Sequence, residues 1–323
     1  MRFAKFVAAL MLAVAPLAVA PVTARAQQAA AAPQVPPAAN GDAHPDFITP
    51  HISDGRTIDL PSLKQGENFT YEWELPKWAP IHIGPLTLDV SPTKHVVMIF
   101  VAAILCMLTL ISAARSQARS AASGRPPKGV ANAIESMVLY MRNEIILPNV
   151  GHHGEKFVPF CLSLFFFILF CNLLGLVPYG STATSNFSVN ATLAIISFFV
   201  IEIAGMFALG KGYISTIVYW PHDMSLAIKA PITLIMTPVE IMGKFTKPMA
   251  LTIRLFANMI AGHVVVLALI SIIFTFASWY LVVPPVLAAT AIMMLEIFVA
   301  FLQAFVFCLL VAVFIGQIRE SAH

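Results

Sequence analysis

The sequence contains few charged residues. Asp, Glu, Lys and Arg make up 11% of the 323 residues, whereas a soluble domain usually carries about 25%. Hydrophobic residues account for 59%, so most of the chain is suited to lipid. The net charge is only +3 and no basic run occurs, which argues against a nucleic-acid partner. We therefore expect a membrane domain with a modest part outside it.

Motifs for metal binding and for hydrolysis are also missing. The four cysteines, Cys106, Cys161, Cys171 and Cys308, all lie in apolar segments, and no CxxC or Cys/His spacing occurs. An intramembrane hydrolase would need HExxH, paired aspartates or a Ser/His arrangement, and none is present at depth. The sequence thus predicts no metal and no other cofactor, and the cysteines are interpreted as packing residues.

The amino terminus has the pattern of a secretory signal peptide. Arg2 and Lys5 precede an apolar run at 6–20 that is too short to span comfortably. Ala-Arg-Ala at 24–26 then offers a cleavage point before Gln27. A bacterial signal peptide is favoured over a mitochondrial transit peptide, because transit peptides are amphipathic and rich in Arg and Ser.

The remaining chain divides into three parts. Residues 27–94 form an Ala/Pro-rich linker and a polar outer segment, in which 69–91 hints at short strands and turns. Residues 95–318 form a transmembrane domain, and 319–323 a short tail. The predicted fold is an all-α membrane protein with five transmembrane helices and one interfacial amphipathic helix.

Five apolar segments are long enough to cross a bilayer, which takes about 20 residues. The last two exceed one bilayer thickness, so we expect them to be tilted, bent or partly interfacial. The segments cover residues 95–114, 157–178, 191–210, 228–279 and 285–318.

Positive charges in the loops orient the chain. Several Lys and Arg residues follow the first and third spans and Arg319 follows the last, whereas the loops at 179–190 and 278–285 contain none. The positive-inside rule then puts the amino terminus outside and the carboxyl terminus in the cytoplasm. A cleaved signal peptide fits this orientation and predicts the bacterial inner membrane, with the mitochondrial inner membrane as the alternative.

Residues 130–150 follow a different pattern. Apolar residues recur there every three or four positions, with charged residues between them. This periodicity predicts an amphipathic helix on the inner membrane surface, or else an ordinary soluble connector helix. The apolar positions are Ile134, Met137, Val138, Met141 and Ile145.

Ionisable residues stand out within the lipid-suited segments. Arg254 lies in an apolar helix, and Asn258 follows four residues later on the same face. From 255 to 318 the only charged residue is Glu296, joined by His263. Such a group costs at least about 2.5–3.5 kcal/mol at mid-membrane, so it usually faces a partner or a water path. Snorkelling of Arg254 to an interface is the structural alternative.

Helical geometry places these residues at distinct depths in the membrane, which we call levels. Counted from the 278–285 turn, Gln303 falls near Arg254, and Glu296 near His263. Glu240 lies about 21 Å from Arg254 toward the inner end. A carboxylate and an imidazole can relay protons, whereas arginine keeps its proton. The pattern therefore predicts two half-paths for an ion, separated by a fixed cation.

Four motifs closely resemble the subunit a family of F-type ATP synthases. They are RLFANMIAGH (254–263), LLGLVP (173–178) preceded by Asn172, PVEIMGKFTKP (238–248) and LEIFVAFLQAFVF (295–307). The resemblance covers roughly residues 75–318 in the family's order and spacing, and the first motif is highly specific.

The resemblance implies roles for individual residues. Arg254 matches the arginine that faces the rotating ring of c subunits, with Asn258 and Gln303 as its polar neighbours. Glu240 matches the acid of the cytoplasmic half-channel, and His263 with Glu296 the pair of the outer one. Two further residues are candidates for the proton path, namely Asn172 and Glu202. Glu202 matches no family role, so it either lines the path or is paired structurally.

The implied partners are the c ring, the b subunits, the rest of the ATP synthase complex, lipid and protons. In that family this subunit translocates protons and carries no catalytic site for ATP. The alternative function is a stand-alone ion channel or secondary transporter. A transporter of that kind is expected to contain inverted repeats or paired broken helices, and the sequence shows no internal repeat.

Overall fold

The computed structural model describes residues 55, 57–61, 70–77, 81–83, 86–88, 92–123, 129–151, 154–177, 182–217, 226–276 and 282–320. The predicted signal peptide and the Ala/Pro-rich stretch at 27–39 lie outside these residues. Within the described part the chain is mostly helical, with short strands ahead of the first long helix.

The strands form two antiparallel hairpins. Strand β1 (Thr57–Pro61) pairs with β2 (Thr70–Glu74), and β3 (Ile81–Ile83) pairs with β4 (Leu86–Leu88). Three of these strands lie in the region where the sequence predicts short strands. The all-α prediction is therefore right for the membrane part and incomplete for the polar segment before it.

Five described helices are long and apolar enough to cross a membrane, as predicted. The last two contain 51 and 38 residues, about 77 and 57 Å at 1.5 Å per residue. Both exceed the hydrocarbon core of about 30 Å. The helices are α1 (Lys94–Ser123), α4 (Val158–Gly175), α5 (Phe187–Leu209), α6 (Leu226–Phe276) and α7 (Val283–Glu320).

Residues 130–150 are helical, as predicted, but the helix is interrupted, and its position at the membrane surface stays a prediction. It runs through α2 (Val130–Tyr140), a π-helical turn (Met141–Ile146) and α3 (Leu147–Val150). The end of α3 is docked on α7, because Arg319 Nη1 donates to the carbonyl of Val150 at 2.9 Å. The apolar periodicity predicts a helix over this segment but does not distinguish an α-helical turn from a π-helical one.

The buried core lies around α4 and the second half of α7. Helix α4 contributes large side chains, among them the fully buried Phe166 and Phe167. Helix α7 meets them with small residues on one face, Ala304, Cys308 and Ala312, which allows close packing. The Cys308 thiol lies 3.3 Å from the carbonyl oxygen of Cys161, across the α4–α7 contact. All four cysteines are buried, in line with their interpretation as packing residues.

Candidate functional site

Arg254 and Asn258 lie on an exposed face of α6. Their neighbours on this face are small, with Ala250, Ala257 and Ala261 also exposed. Within the described residues, neither polar side chain makes a hydrogen bond or an ion pair. In lipid an arginine needs a partner or water, and small residues let another helix approach closely. This face, which we call the arginine face, is therefore suited to a second protein.

The adjacent side of α6 is buried at Leu251, Leu255 and Met259, and Leu251 and Leu255 lie next to α7. Gln303 of α7 is also buried there, and its Nε2 donates to the backbone carbonyl of Arg254 at 2.9 Å. The two residues thus lie at the same level, as the residue count predicts. Since Gln303 binds the backbone, it leaves the guanidinium of Arg254 for other partners.

Glu296 and His263 lie at a second common level, because Glu296 packs against Gly262. The carboxylate of Glu296 lies against the Cα of Gly262, so closely that a Cβ at position 262 would collide with it. A methyl group at this position would come within 2.8 Å of the Glu296 carboxyl carbon. His263 is the next residue along α6, and both ionisable side chains are half-buried. The residue count from the turn had predicted this common level.

A cavity of about 190 Å³ opens between α5, α6, α7 and the 3₁₀ helix Gly210–Thr216. Its lining mixes apolar and polar side chains, and we call it the polar cavity after its ionisable residues. It lies toward the carboxyl end of α7, on the far side of Arg254 from Glu296. A polar cavity of this size has room for several water molecules. Its polar lining includes Glu202, Thr216, Glu240, Lys244, Lys247 and Gln317.

Glu202 both lines this cavity and is paired. Lys244 Nζ lies 3.0 Å from Glu202 Oε2, and the Tyr213 hydroxyl donates to the same oxygen. Lys244 also donates to the hydroxyls of Thr216 at 3.3 Å and Tyr213 at 3.4 Å. The pairing foreseen for Glu202 is thus present, and its place in a proton path stays a prediction. Glu240, in contrast, makes no hydrogen bond or ion pair within the described residues.

Lys244 is the site residue that the sequence reasoning missed. It follows Glu240 by four positions, so both lie on one face of α6. That spacing was available in the sequence as a signal. Its partner was not, because Glu202 lies 42 residues away on another helix.

Asn172 lies elsewhere, in the buried core. Its Oδ1 accepts from Thr184 at 2.7 Å, and its Nδ2 donates to the carbonyl of Ala300 at 3.3 Å. Asn190 then donates to the Thr184 carbonyl at 2.6 Å. These contacts join α4, the 3₁₀ helix Ala183–Ser185 and α7, and Asn172 does not line the polar cavity. The structure thus gives it the contacts of an interhelical tie.

Long apolar helices with ionisable groups at depth define a polytopic membrane protein of the kind that handles ions. The chain belongs to the ATP synthase A chain family, whose sequence pattern matches residues 95–316. It is similar to ATP synthase subunit a 2 of Chlorobaculum tepidum, with 43% identity over 94% of this chain and 80% of the relative.

Other bacterial relatives agree. The chain is 39% identical to ATP synthase subunit a of an Anaeromyxobacter species, over 83% of this chain and 69% of the relative. It is 43% identical to ATP synthase subunit a of Pelodictyon phaeoclathratiforme, over 86% and 76% respectively. The bacterial relatives and the five apolar helices together indicate a bacterial membrane protein.

Proposed function

We propose that this protein is the stator subunit a of a bacterial F-type ATP synthase. It conducts protons through two half-channels to and from a ring of c subunits, and so couples proton flow to rotation and ATP synthesis. The observation that carries this proposal is the arginine face. An exposed cation on a lipid-suited helix lies between two separate groups of ionisable residues, and the chain's family is that of ATP synthase subunits.

The outer half-channel begins at His263 and Glu296. A proton from outside passes this pair and neutralises a carboxylate on a c subunit. An imidazole and a carboxyl group suit this step, because each binds and releases a proton at accessible pH. The neutral carboxyl group can then rotate through lipid. This step is supported by the position of the two residues. They lie at one level, on the side of Arg254 that is remote from Glu240.

Arg254 separates the two half-channels. A c subunit that arrives from the other side meets the guanidinium and loses its proton, since opposite charges about 4 Å apart attract by roughly 4 kcal/mol at an effective dielectric near 20. Because arginine does not give up its own proton, it also blocks a direct leak between the half-channels. Asn258 shares the arginine face, and Gln303 holds the backbone carbonyl of Arg254 by a hydrogen bond.

The inner half-channel is the polar cavity. The released proton passes to Glu240 and leaves toward the cytoplasm. Glu240 suits this role because it lines the cavity and no other described side chain occupies its carboxylate. The transmembrane potential adds about 2.3 kcal/mol per charge per 100 mV to the driving force.

Capture of the assembled complex tests this function. A tagged chain solubilised in mild detergent should bring down the c ring and the b subunits. Capture of the chain alone, with proton conductance retained after reconstitution, would favour a stand-alone channel or transporter instead.

The proposed topology follows from the loop charges. Residues 1–26 are a cleaved signal peptide, 27–94 lie outside, 95–318 cross the membrane with α6 and α7 tilted, and 319–323 are cytoplasmic. The helical segment at 130–150 lies at the inner surface. Mass spectrometry of the assembled subunit should find a mature terminus near Gln27, and an intact Met1 would contradict the signal peptide.

A further inference from the structure

We propose that Lys244 is a positioning residue for proton release at Glu240. It binds Glu202 and holds the 3₁₀ helix Gly210–Thr216 on the polar cavity, so that Glu240 is the carboxylate left to exchange protons. This inference rests on the proposed function of the cavity. It assigns a role to two residues, Lys244 and Glu202, for which the family resemblance supplied none.

The contacts of Lys244 come from two other elements of the fold. Its Nζ lies 3.0 Å from Glu202 on α5, and 3.3 and 3.4 Å from the hydroxyls of Thr216 and Tyr213 on the 3₁₀ helix. It also lies over the Tyr213 ring, 4.7 Å from the centroid. An ammonium group has three protons to donate, and these three oxygens are enough to engage all of them.

The cavity contains two carboxylates with different surroundings. Glu202 accepts from Lys244 and Tyr213, and its side chain is only 13% exposed. Two donors thus occupy one carboxylate oxygen of Glu202. Glu240 lines the same cavity and has no such partner within the described residues. We therefore assign Glu202 the fixed, paired role and Glu240 the exchange of protons.

Removing either partner should disturb Glu240. Without Lys244, Glu202 loses its cation and keeps only the Tyr213 hydroxyl, so it becomes a second proton acceptor beside Glu240 in the cavity. Without Glu202, the ammonium of Lys244 is free to turn to Glu240, four residues before it on the same helix face, and to occupy that carboxylate instead. Removing both charges leaves neither competitor. Each single change should slow proton release, and the double change should recover much of it.

The test uses the whole ATP synthase in inverted membrane vesicles. ATP-driven proton pumping is measured per assembled subunit, which is quantified by immunoblot. Lys244→Met and Glu202→Gln should each pump about tenfold more slowly, within the range of coupling seen for contacting residues. The double variant should pump faster than either. Lys244→Arg, which keeps the charge and the donors, should stay near the wild-type rate.

A matched control is available on the surface. Arg142 and Glu155 form an exposed ion pair at 3.4 Å, outside the proposed proton path. Arg142→Met should pump at the wild-type rate. A purely structural role for Lys244 would lower the amount of assembled complex and leave the rate per complex unchanged, and that result would overturn the inference.

Glu240→Gln separates this inference from the proposed function. If it pumps normally, the inner half-channel itself is wrong. If it is slow while Lys244→Met and Glu202→Gln pump normally, only the role of Lys244 is wrong. If Lys244→Met does not assemble, the rates of Glu202→Gln and of the double variant test the inference. A slow single variant with recovery in the double supports the inference, and equal or additive losses contradict it.

Discussion

Helices α4 and α6 are both suited to lipid, yet the fold treats them in opposite ways. In the most apolar stretch of α4, 72% of the residues are buried within this chain, against 11% in α6. Helix α4 is enclosed by its neighbours and carries large, fully buried side chains. Helix α6 carries Arg254, Asn258 and Glu240 and contacts the rest of the chain along one side.

The difference separates two kinds of polar residue. Asn172 on α4 is buried and its amide group is hydrogen-bonded on both sides. Arg254 on α6 is exposed, and within the described residues its guanidinium has no partner. A polar group in the core is satisfied by the fold, whereas one on the exposed helix is left for water or another protein. Substitutions of polar residues on α4 should therefore lower stability, whereas those on α6 should lower transport.

Arg254 should give the largest effect. Arg254→Ala should abolish ATP-driven pumping while assembly stays largely intact, because the side chain is exposed and has no hydrogen bond or ion pair within the described residues. Arg254→Lys should also fail, since a compact ammonium can lose its proton when desolvated. Proton pumping in inverted vesicles and an immunoblot of the complex measure both points. Normal pumping by the Ala variant would refute the proposed role of Arg254 between the two half-channels.

Substitutions in the outer pair, His263 and Glu296, should have the second-largest effect. If His263 and Glu296 form one relay, the pair needs one imidazole and one carboxyl group more than a particular helix for each. His263→Glu would put two acids together and Glu296→His two imidazoles, so each should slow proton uptake markedly. The double swap should recover a good part of the rate.

ATP synthesis in energised vesicles, measured for all four combinations, gives a double-mutant cycle for this pair. Additive losses, with the swap worse than either single change, would mean that the two residues act separately. A packed histidine and an independently satisfied glutamate would then be the better description.

Gly262→Ala should have an intermediate effect. The added methyl group would collide with the Glu296 carboxylate and displace it from the level of His263. Gly243→Ala is the matched control on the same helix, because a Cβ there meets nothing within 4 Å. We expect slower ATP synthesis for Gly262→Ala alone. Equal rates for the two variants would argue against a fixed position of Glu296.

Asn172→Leu should affect stability more than transport. It leaves the Thr184 hydroxyl and the Ala300 carbonyl without this partner, at a cost of about 1–3 kcal/mol for a buried polar group. The exposed Asn132→Leu on α2 serves as its control. Thermal unfolding in detergent should show a lower midpoint for Asn172→Leu only. Loss of pumping without loss of stability would instead put Asn172 in the proton path.

The levels of the site were open to prediction, whereas its contacts were not. Residue counting from the 278–285 turn brought Gln303 to Arg254 and Glu296 to His263, because helical rise is regular. It could not show that Gln303 binds a backbone carbonyl, or that Glu296 packs on Gly262. These details depend on the rotation of α7 about its axis, which is set by packing against α4 and α5.

The sequence by itself determined the five apolar helices, since a run of some 20 apolar residues is stable as a helix across lipid. It also determined the spacing of Glu240, Lys244, Arg254 and Asn258 along one helix. Only the tertiary structure decided that Lys244 pairs with Glu202, 42 residues away, and that Glu240 is left unpaired beside them within the described part of the chain. Helical periodicity fixes which residues share a face, but which faces meet is decided by the packing of side chains between helices.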